Sequence, residues 1–372
     1  MISLLGAGFG QVMLSILNYI LYLIVAILVF AMLIFIHELG HYTFGKIFKF
    51  KINEFAIGFG KAIWQKQGKD GVLYAIRIVP LGGYCAFEGE DGESAVEGSF
   101  NSMAWWKRVI VLFGGVFFNF VSACIISIPL LATMGSGQTY IHSFNTVEDV
   151  PSIVQNYDEA DPTKLHTNDV ILYVAGARPT FINGGATLLM SDQGENAEYV
   201  LTVLRDGEKL DINVKNITSF EVKGKTYYSP GIAIQGYVKY SVGEAFLDAV
   251  PYTVQTSWDC LVIIGKLVTF NYDISNLGGP ITAVKAIGEA ASVNMNYVLL
   301  FFVVLSVNLA VFNALPVPAL DGARIVFVLI EAIRRKPIKR EVEQKIHMIG
   351  LMVLFGFIIV VDFLQLFVFR FV

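Results

Sequence analysis

Apolar residues in this chain gather into four long runs, separated by stretches where polar and apolar positions alternate. Leu14 to Ile36 is 23 residues without a charge. At 1.5 Å rise per residue, a helix of that length spans roughly 35 Å, enough to cross the hydrocarbon core of a bilayer. Val109–Met134 is the second run, with Pro129 near its far end, and Tyr297–Leu320 is the third. Met348–Phe369 is the fourth, interrupted by Asp362. These predict four transmembrane helices. The run Cys260–Val268 with its flanks holds Lys266 and is too short to cross; it predicts an amphipathic or interfacial helix.

Between the second and third runs the period changes to two. Tyr199–Arg205 and Leu210–Val214 alternate on either side of Asp206-Gly207. Asp-Gly between two such runs is a strong hairpin signal. Val170–Val174 and Gly231–Ile234 read as further short strands. About 100 residues of this kind suffice for one small β-rich domain. Residues 52–88 also have strand character: Phe55–Gly60, then Val72–Val79, then Pro80-Leu-Gly-Gly-Tyr84. Wedged between two spans, they predict a β-hairpin dipping back against the helices, where protein or a water-filled cavity can satisfy its backbone. The acidic run Glu88, Glu90, Asp91, Glu93 and Glu97 reads as a solvated loop.

Composition agrees with this and narrows it. Of 372 residues, 55% are hydrophobic and only 16% charged, against about 25% charged in soluble domains. A soluble enzyme and a disordered chain are excluded. The net charge of −4 leaves no basic footprint for nucleic acid. Cys85, Cys124 and Cys260 have no metal-ligand or disulfide spacing and read as plain apolar residues.

Charge also predicts orientation. Lysines and arginines follow the first run (Lys46, Lys49, Lys51), precede the second (Lys107, Arg108) and follow the third (Arg334, Arg335, Lys336, Lys339, Arg340). Positive loops stay in the cytoplasm, so both termini are expected outside. The segment 135–243, with thirteen acidic and eight basic residues, is expected to be extracytoplasmic. The first run lacks the positive n-region of a cleavable signal, so it is expected to remain as an anchor.

The first 36 residues carry no Lys, Arg, Asp, Glu or His, and the run then ends in His37-Glu38-Leu39-Gly40-His41. Histidines four apart share a helix face. Two imidazoles so placed bind zinc, and the intervening glutamate serves as general base. The chance expectation of HExxH in this composition is about 0.003. A catalytic zinc takes three protein ligands and keeps one open position. Of the remaining histidines, His142 and His166 fall in the outer segment and His347 opens the fourth run. Asp321 is the better third ligand, because it follows 24 uncharged residues of the third run as His37 follows 23 of the first. Both spans run inward, so both side chains arrive at one depth near the cytoplasmic face. Between Asn308 and Gly322 the chain reads Asn-Leu-Ala-Val-Phe-Asn-Ala-Leu-Pro-Val-Pro-Ala-Leu-Asp-Gly. The prolines free backbone carbonyls. Asn308 and Asn313 could bind an extended substrate or join helices. Gly115 and Asn119, four apart on the second span, allow a close crossing and one polar contact. Asp362 has no chemical role assigned from the sequence.

These motifs resemble the site-2 protease family, the bacterial regulated intramembrane zinc metalloproteases. The resemblance rests on His37-Glu-Leu-Gly-His41, Pro80-Leu-Gly-Gly-Tyr84, Gly115-x-x-x-Asn119, Leu277-Gly-Gly-Pro-Ile281 and Asn313-x-x-Pro-x-Pro-x-Leu-Asp-Gly322, and it covers nearly the whole chain. It implies zinc on His37, His41 and Asp321, Glu38 as catalytic base, and substrate contacts from Asn308, Asn313, Pro316 and Pro318. It implies a membrane-reentrant β-hairpin that receives substrate as an added strand, and a PDZ-like domain that filters substrates by size. Asn168 stands where that domain usually has Gly, and Ala177-Arg-Pro replaces part of its usual turn. Substrates of the family type are single-span membrane proteins, such as anti-sigma factors or remnant signal peptides.

The expected architecture is therefore a polytopic α-helical membrane protein of a bacterial inner membrane, with about four transmembrane helices, a membrane-reentrant β-hairpin and one inserted extracytoplasmic PDZ-like β-rich domain. The expected segments are the first transmembrane helix with HExxH (1–51), the reentrant β-loop and acidic loop (52–106), and the second helix (107–134). The PDZ-like domain (135–243), amphipathic helices (244–296), the third helix with its proline-aspartate motif (297–333), and a basic loop with the fourth helix (334–372) follow. The alternative is a membrane metal transporter or a membrane-anchored scaffold without proteolytic activity. A transporter more often shows ligands at mid-membrane and repeated halves; here the ligand types cluster at one face and no repeat is visible.

Overall fold

A computed structural model describes residues 9–90, 96–144, 156–180, 196–222, 225–235, 238–272 and 277–368, with Leu189 and Gly194 besides. Two compact units emerge: residues 1–123 with 260–372, and residues 124–259.

The first unit is built on α1 (Phe9–Ile47). The apolar run has no proline to stop it, so the helix continues eleven residues past Ile36 and carries His37–His41 on its own surface. It ends where the N–H of Phe50 reaches back to the Gly45 carbonyl and Lys49 turns left-handed at φ 63°, with Lys46 in the last turn complementing the helix dipole. Along α1, Leu14, Leu17 and Leu28 are more than half exposed, a surface that suits lipid rather than water. A hairpin follows, β1 (Ile52–Gln67) antiparallel to β2 (Leu73–Phe87) with repeated register shifts. Its base packs Phe50, Ile52, Phe55, Val72 and Phe87 into one core with Phe100, Val111 and Leu112.

Helix α2 (Trp105–Met134) meets α1 backbone to backbone. A Cβ on Gly40 would fall inside the Gly114 carbonyl, and one on Gly114 would sit 2.6 Å from the Gly40 oxygen. Small residues at a crossing let two membrane helices approach this closely. Helix α3 (Val242–Val268), which belongs to the second unit up to Asp259 and to the first from Cys260, is longer than the run that predicted it and holds Pro251. Helix α4 (Pro280–Val293) lays Gly288 under Tyr22 of α1, and Ala26, Leu33, Ile287 and Val298 form the core there. Gly279, just before α4, has no room for a Cβ because the Asp362 carboxylate fills that space. Asp362 thus lies at a helix N-terminus, where backbone N–H groups favour an anion.

Helix α5 (Met295–Ala314) stops six residues short of the predicted end of the third run. Pro316 and Pro318 explain the early stop, since the residue before a proline is pushed to extended backbone, and Leu315 has ψ 147°. The chain turns and restarts at α6 (Asp321–Arg334), whose first helical residue is Asp321. Helix α7 (Arg340–Phe363) completes the unit, with one π turn at Leu364–Val368. Near the start of α7, Glu331 accepts from Arg108 at 2.8 Å and from the Ile338 N–H at 2.9 Å, and lies 3.5 Å from Arg340. Among the described residues, four helical stretches are long and apolar enough to cross a membrane: Ile16–Ile47, Trp105–Met134, Met295–Ala314 and Arg340–Val368.

The second unit contains β3 (Tyr140–Phe144), β4 (Val170–Val174), β5 (Glu198–Arg205), β6 (Glu208–Lys215) and β9 (Ile232–Gln235) in an antiparallel sheet ordered β6-β5-β4-β3-β9. β7 (Thr218–Val222) and β8 (Lys225–Ser229) pair separately. Asp206 (φ 49°) and Gly207 (φ 87°) make the two-residue turn their sequence predicts, a primed turn matching strand twist. Ile141, Ile171, Leu201, Val203 and Ile212 fill the core. Asn168 takes φ 67°, a left-handed conformation that Asn adopts more readily than other non-glycine residues, so the departure from Gly there is tolerated. Arg205 grips the buried Asp169 with two hydrogen bonds, 2.8 and 2.7 Å.

The Gly40–Gly114 crossing gives a direct test. Gly40→Ala should destabilise the protein by about 1–3 kcal/mol, the usual range for overpacking. A fall in thermal unfolding midpoint in detergent checks this, and an unchanged midpoint would show that the two backbones do not meet.

Candidate metal centre

Three side chains from two distant parts of the chain converge. His37 Nε2 lies 3.0 Å from Asp321 Oδ2, His41 Nε2 lies 3.3 Å from the same oxygen, and the two Nε2 atoms are 3.2 Å apart. Among the described residues this is the one group of three or more His, Cys, Asp or Glu side chains placed to hold a metal ion. Ligands at 2.0–2.1 Å from zinc in a tetrahedron are separated by about 3.3 Å, so the donor spacing fits that ion. One turn of α1 supplies both imidazoles. The turn after α5 supplies the carboxylate at the head of α6.

The neighbouring backbone is shaped for this. A Cβ on Gly115 would stand 2.5 Å from His37 Cε1 and 2.6 Å from His41 Nε2. The second helix can pass beneath the imidazoles only because position 115 has no side chain. Ser306 of α5 donates to the Asn119 carbonyl at 2.9 Å, and the Ser122 and Ser306 hydroxyls lie 2.8 Å apart, which ties α2 to α5 one turn from the site.

Each imidazole is oriented by its other nitrogen. His41 Nδ1–H donates to the Val111 carbonyl at 2.9 Å, which leaves the Nε2 lone pair facing the centre. His37 Nδ1 lies 3.1 Å from the Asn119 amide. For His37 Nε2 to offer a lone pair, Nδ1 must carry the proton and the amide must turn its oxygen toward the ring. The two ends of an amide have the same shape and are assigned from their hydrogen bonds. As placed, the fully buried Asn119 leaves Oδ1 without a partner among the described residues. A donor at His37 Nδ1 is what that oxygen lacks.

Glu38, between the two histidines, lines a cavity of about 690 Å³ together with His37, His41 and Asp321. The hairpin reaches it: a Cβ on Gly83 would touch the Glu38 Cγ and the Ile34 side chain, so the Gly-Gly stretch of β2 lies against the general-base candidate. Two ion pairs, Arg324–Glu90 and Arg340–Glu343, stand at the polar side of this cavity. It also receives His347, which the sequence offered only as a discarded ligand.

The remaining sequence candidates are placed differently. Asn313 donates its amide N–H to the Leu309 carbonyl of its own helix at 2.9 Å. Pro316 and Pro318 lie in the turn before Asp321, and Pro318 packs on Gly350. Neither these three nor Asn308 is among the residues lining the cavity. Sequence reasoning allowed Asn119 one polar contact without identifying its partner; its spacing from Gly115 was the available signal, since four residues put both on the face that meets His37.

The profile of Peptidase family M50 matches residues 25–357. A provisionally named zinc metalloprotease of Clostridium perfringens is 32% identical over 347 residues, covering 92% of this chain and 97% of the relative. Similarly named proteins of Nostoc sp. and Helicobacter pylori are each 30% identical, and cover 92% of this chain with 95% and 97% of their own lengths.

Removing the amide tests the arrangement around His37. Asn119→Leu should weaken zinc binding by about 10–100-fold, as loss of a partner behind a metal-bound histidine commonly does. Chelator competition measures the affinity. Unchanged affinity would show that Asn119 does not orient the ring.

Proposed function

The chain belongs to peptidase family M50 and is a zinc metalloprotease; from that premise we propose that it is an intramembrane endopeptidase that cleaves the transmembrane segments of single-span membrane proteins. The observation that carries this is the meeting of His37, His41 and Asp321 within 3.3 Å of one another, beside Glu38, with both histidines on a helix long and apolar enough to cross a bilayer. Charge and polarity on a lipid-facing helix are destabilising, so a ligand set at this place argues for chemistry performed there.

His37, His41 and Asp321 would hold the zinc. When bound, zinc supplies Lewis acidity, polarising the scissile carbonyl and making water a better nucleophile. Glu38 takes a proton from the attacking water as oxygen bonds to the carbonyl carbon. It returns that proton to the amide nitrogen as the C–N bond breaks, giving an acid and an amine. Asn119 and the Val111 carbonyl keep the two imidazoles in the tautomer this needs. The substrate must be extended, because a helical peptide has its carbonyls engaged. The contact of Gly83 with Glu38 supports reading the β1–β2 hairpin as a membrane-reentrant element that receives the substrate as an added strand.

The five-stranded unit is read as a PDZ-like domain outside the membrane, filtering substrates by the size of their outer parts. The positive flanks at Lys46–Lys51 and Arg334–Arg340 support an active site near the cytoplasmic face of a bacterial inner membrane, with both termini outside. Anti-sigma factors and remnant signal peptides are the substrate types that fit.

Glu38→Gln decides the mechanism. With a single-span substrate in proteoliposomes, cleavage should fall by about 100- to 10,000-fold, the range for loss of a general base, while zinc content stays at the wild-type level. Cleavage at the wild-type rate would overturn the assignment. Removing zinc with a chelator should abolish cleavage, and adding zinc back should restore it.

A further inference from the structure

We propose that the outward face of α6, with the basic residues Arg334, Arg335, Lys336 and Lys339 at its end, binds anionic phospholipids. This surface is independent of the endopeptidase reading and needs only that the chain lie in a bilayer.

The face is built at helical spacing. Val326, Leu329, Ile330 and Ile333 are all exposed, Ile333 at 83%. Positions i, i+3, i+4 and i+7 share one side of a helix. The other side is buried and carries Gly322, Ala323, Val328 and the carboxylate of Glu331. In a soluble protein such a helix would turn the glutamate out and the aliphatic side chains in. The reverse arrangement suits a helix whose outer neighbours are acyl chains.

The charges at the end of the stripe are available to a ligand. Arg334, Arg335, Lys336 and Lys339 are exposed, and none of them makes an ion pair among the described residues. The largely covered carboxylates of this region are held by other arginines: Glu331 by Arg108, Glu90 by Arg324 and Glu343 by Arg340. Arg335 is left-handed at φ 55° and closes the helix, and Pro337 keeps it from resuming. Four basic side chains are thereby gathered within six residues at one helix end.

An ion pair sets the depth of this cluster. Arg108 of α2 and Glu331 of α6 lie 2.8 Å apart. Trp105, three residues before Arg108, opens α2, and Arg334, three residues after Glu331, closes α6. Both stand one turn beyond the pair, at the same end of the bundle. Trp105 and Trp106 are exposed, and Lys107 Nζ lies 5.6 Å from the centroid of the Trp106 ring. Tryptophans with lysine and arginine beside them favour the headgroup level of a bilayer, where a cluster of four or more basic residues attracts anionic lipid. The aliphatic stripe then receives the acyl chains and the cluster receives the headgroups. The helix that ends at this surface begins with Asp321, about 20 Å away at 1.5 Å rise per residue, so one rigid element carries both the lipid contact and the third metal-ligand candidate.

Tryptophan quenching tests this on the full chain. Trp64→Phe and Trp258→Phe leave Trp105 and Trp106 as the reporters. The protein is placed in phosphatidylcholine liposomes containing the same mole fraction of either phosphatidylglycerol or phosphatidylcholine brominated near the headgroup end of the acyl chain. Phosphatidylglycerol should quench with a relative affinity at least about fivefold above phosphatidylcholine, the contribution of one basic side chain near an anionic headgroup. Changing Arg334, Arg335, Lys336 and Lys339 together to Gln should bring that ratio to about one. Changing Lys164, Lys209, Lys215 and Lys239 of the second unit to Gln removes the same net charge and should leave the preference intact. Equal quenching by the two lipids in the unaltered cluster would overturn the proposal, and so would a preference that survives the first set of changes or is lost equally in the second. Quenching by neither lipid would also overturn it, because the face would then be covered by protein, as a second copy of the chain would do. No step of the measurement needs cleavage, so its outcome is separate from that of the endopeptidase reading.

Discussion

The structure depends on a carboxylate that sits against two imidazoles carried by a helix long and apolar enough to cross a membrane. Asp321 and His37 are separated by 284 residues of chain, yet their side chains lie 3.0 Å apart. A buried anion needs compensating partners, and the surroundings of the site serve to bring those partners into reach. The Gly40–Gly114 crossing lets α2 approach α1, Gly115 leaves space under the rings, and the Ser122–Ser306 contact fixes α5 against α2. Enlarging Gly40 or Gly114 would act on the site through helix spacing, whereas a side chain at position 115 would press on the imidazoles themselves.

A second set of charges holds α2 to the helices that follow the turn. Arg108, on the first turns of α2, pairs with Glu331 of α6, and Arg340, opening α7, lies near the same carboxylate. Arg108 and Glu331 are both less than a tenth exposed. Breaking one partner of such a pair is far more damaging than replacing both, because the survivor keeps its desolvation without its counter-charge. The arginines that sequence reading treated only as markers of orientation thus also fasten α2, α6 and α7 together. This is the bundle in which Asp321 and His347 are held.

Much of this was legible in the chain, and the remainder was hidden for identifiable reasons. Apolar run length gave the four helical stretches, because a bilayer sets a minimum length. Asp206-Gly207 gave the hairpin, because few residue pairs tolerate two positive φ angles. The four-residue spacing of the histidines placed both on one helix face. Helix ends were read less well: α1 runs on beyond Ile36 because charge does not stop a helix, whereas α5 stops at Ala314 because proline does. Periodicity tells which face a residue occupies but not what faces it. Asn119 could be placed on an α2 face with Gly115, but not against His37. Asp362 was an unexplained charge until Gly279 at the head of α4 was seen beside it.

The turn between α5 and α6 shows why a broken helix can carry a ligand here. Irregular backbone is tolerated at membrane depth only when its polar groups are satisfied by protein or water. From Leu315 to Leu320, each N–H has an acceptor or does not exist. Leu315 donates to Phe312, Val317 to Leu315 and Leu320 to Val317; Pro316 and Pro318 have no N–H to satisfy. That leaves Ala319, whose donor would be stranded by its left-handed turn if His347 did not accept it. The prolines therefore do more than interrupt the helix: they remove the two donors that the interruption would otherwise orphan, and one imidazole from α7 takes up the last. The same hydrogen bond that completes the turn leaves the proton of the neutral ring on Nε2, so the polar demands of a helix break next to Asp321 set the tautomer of a histidine that lines the cavity of the metal centre.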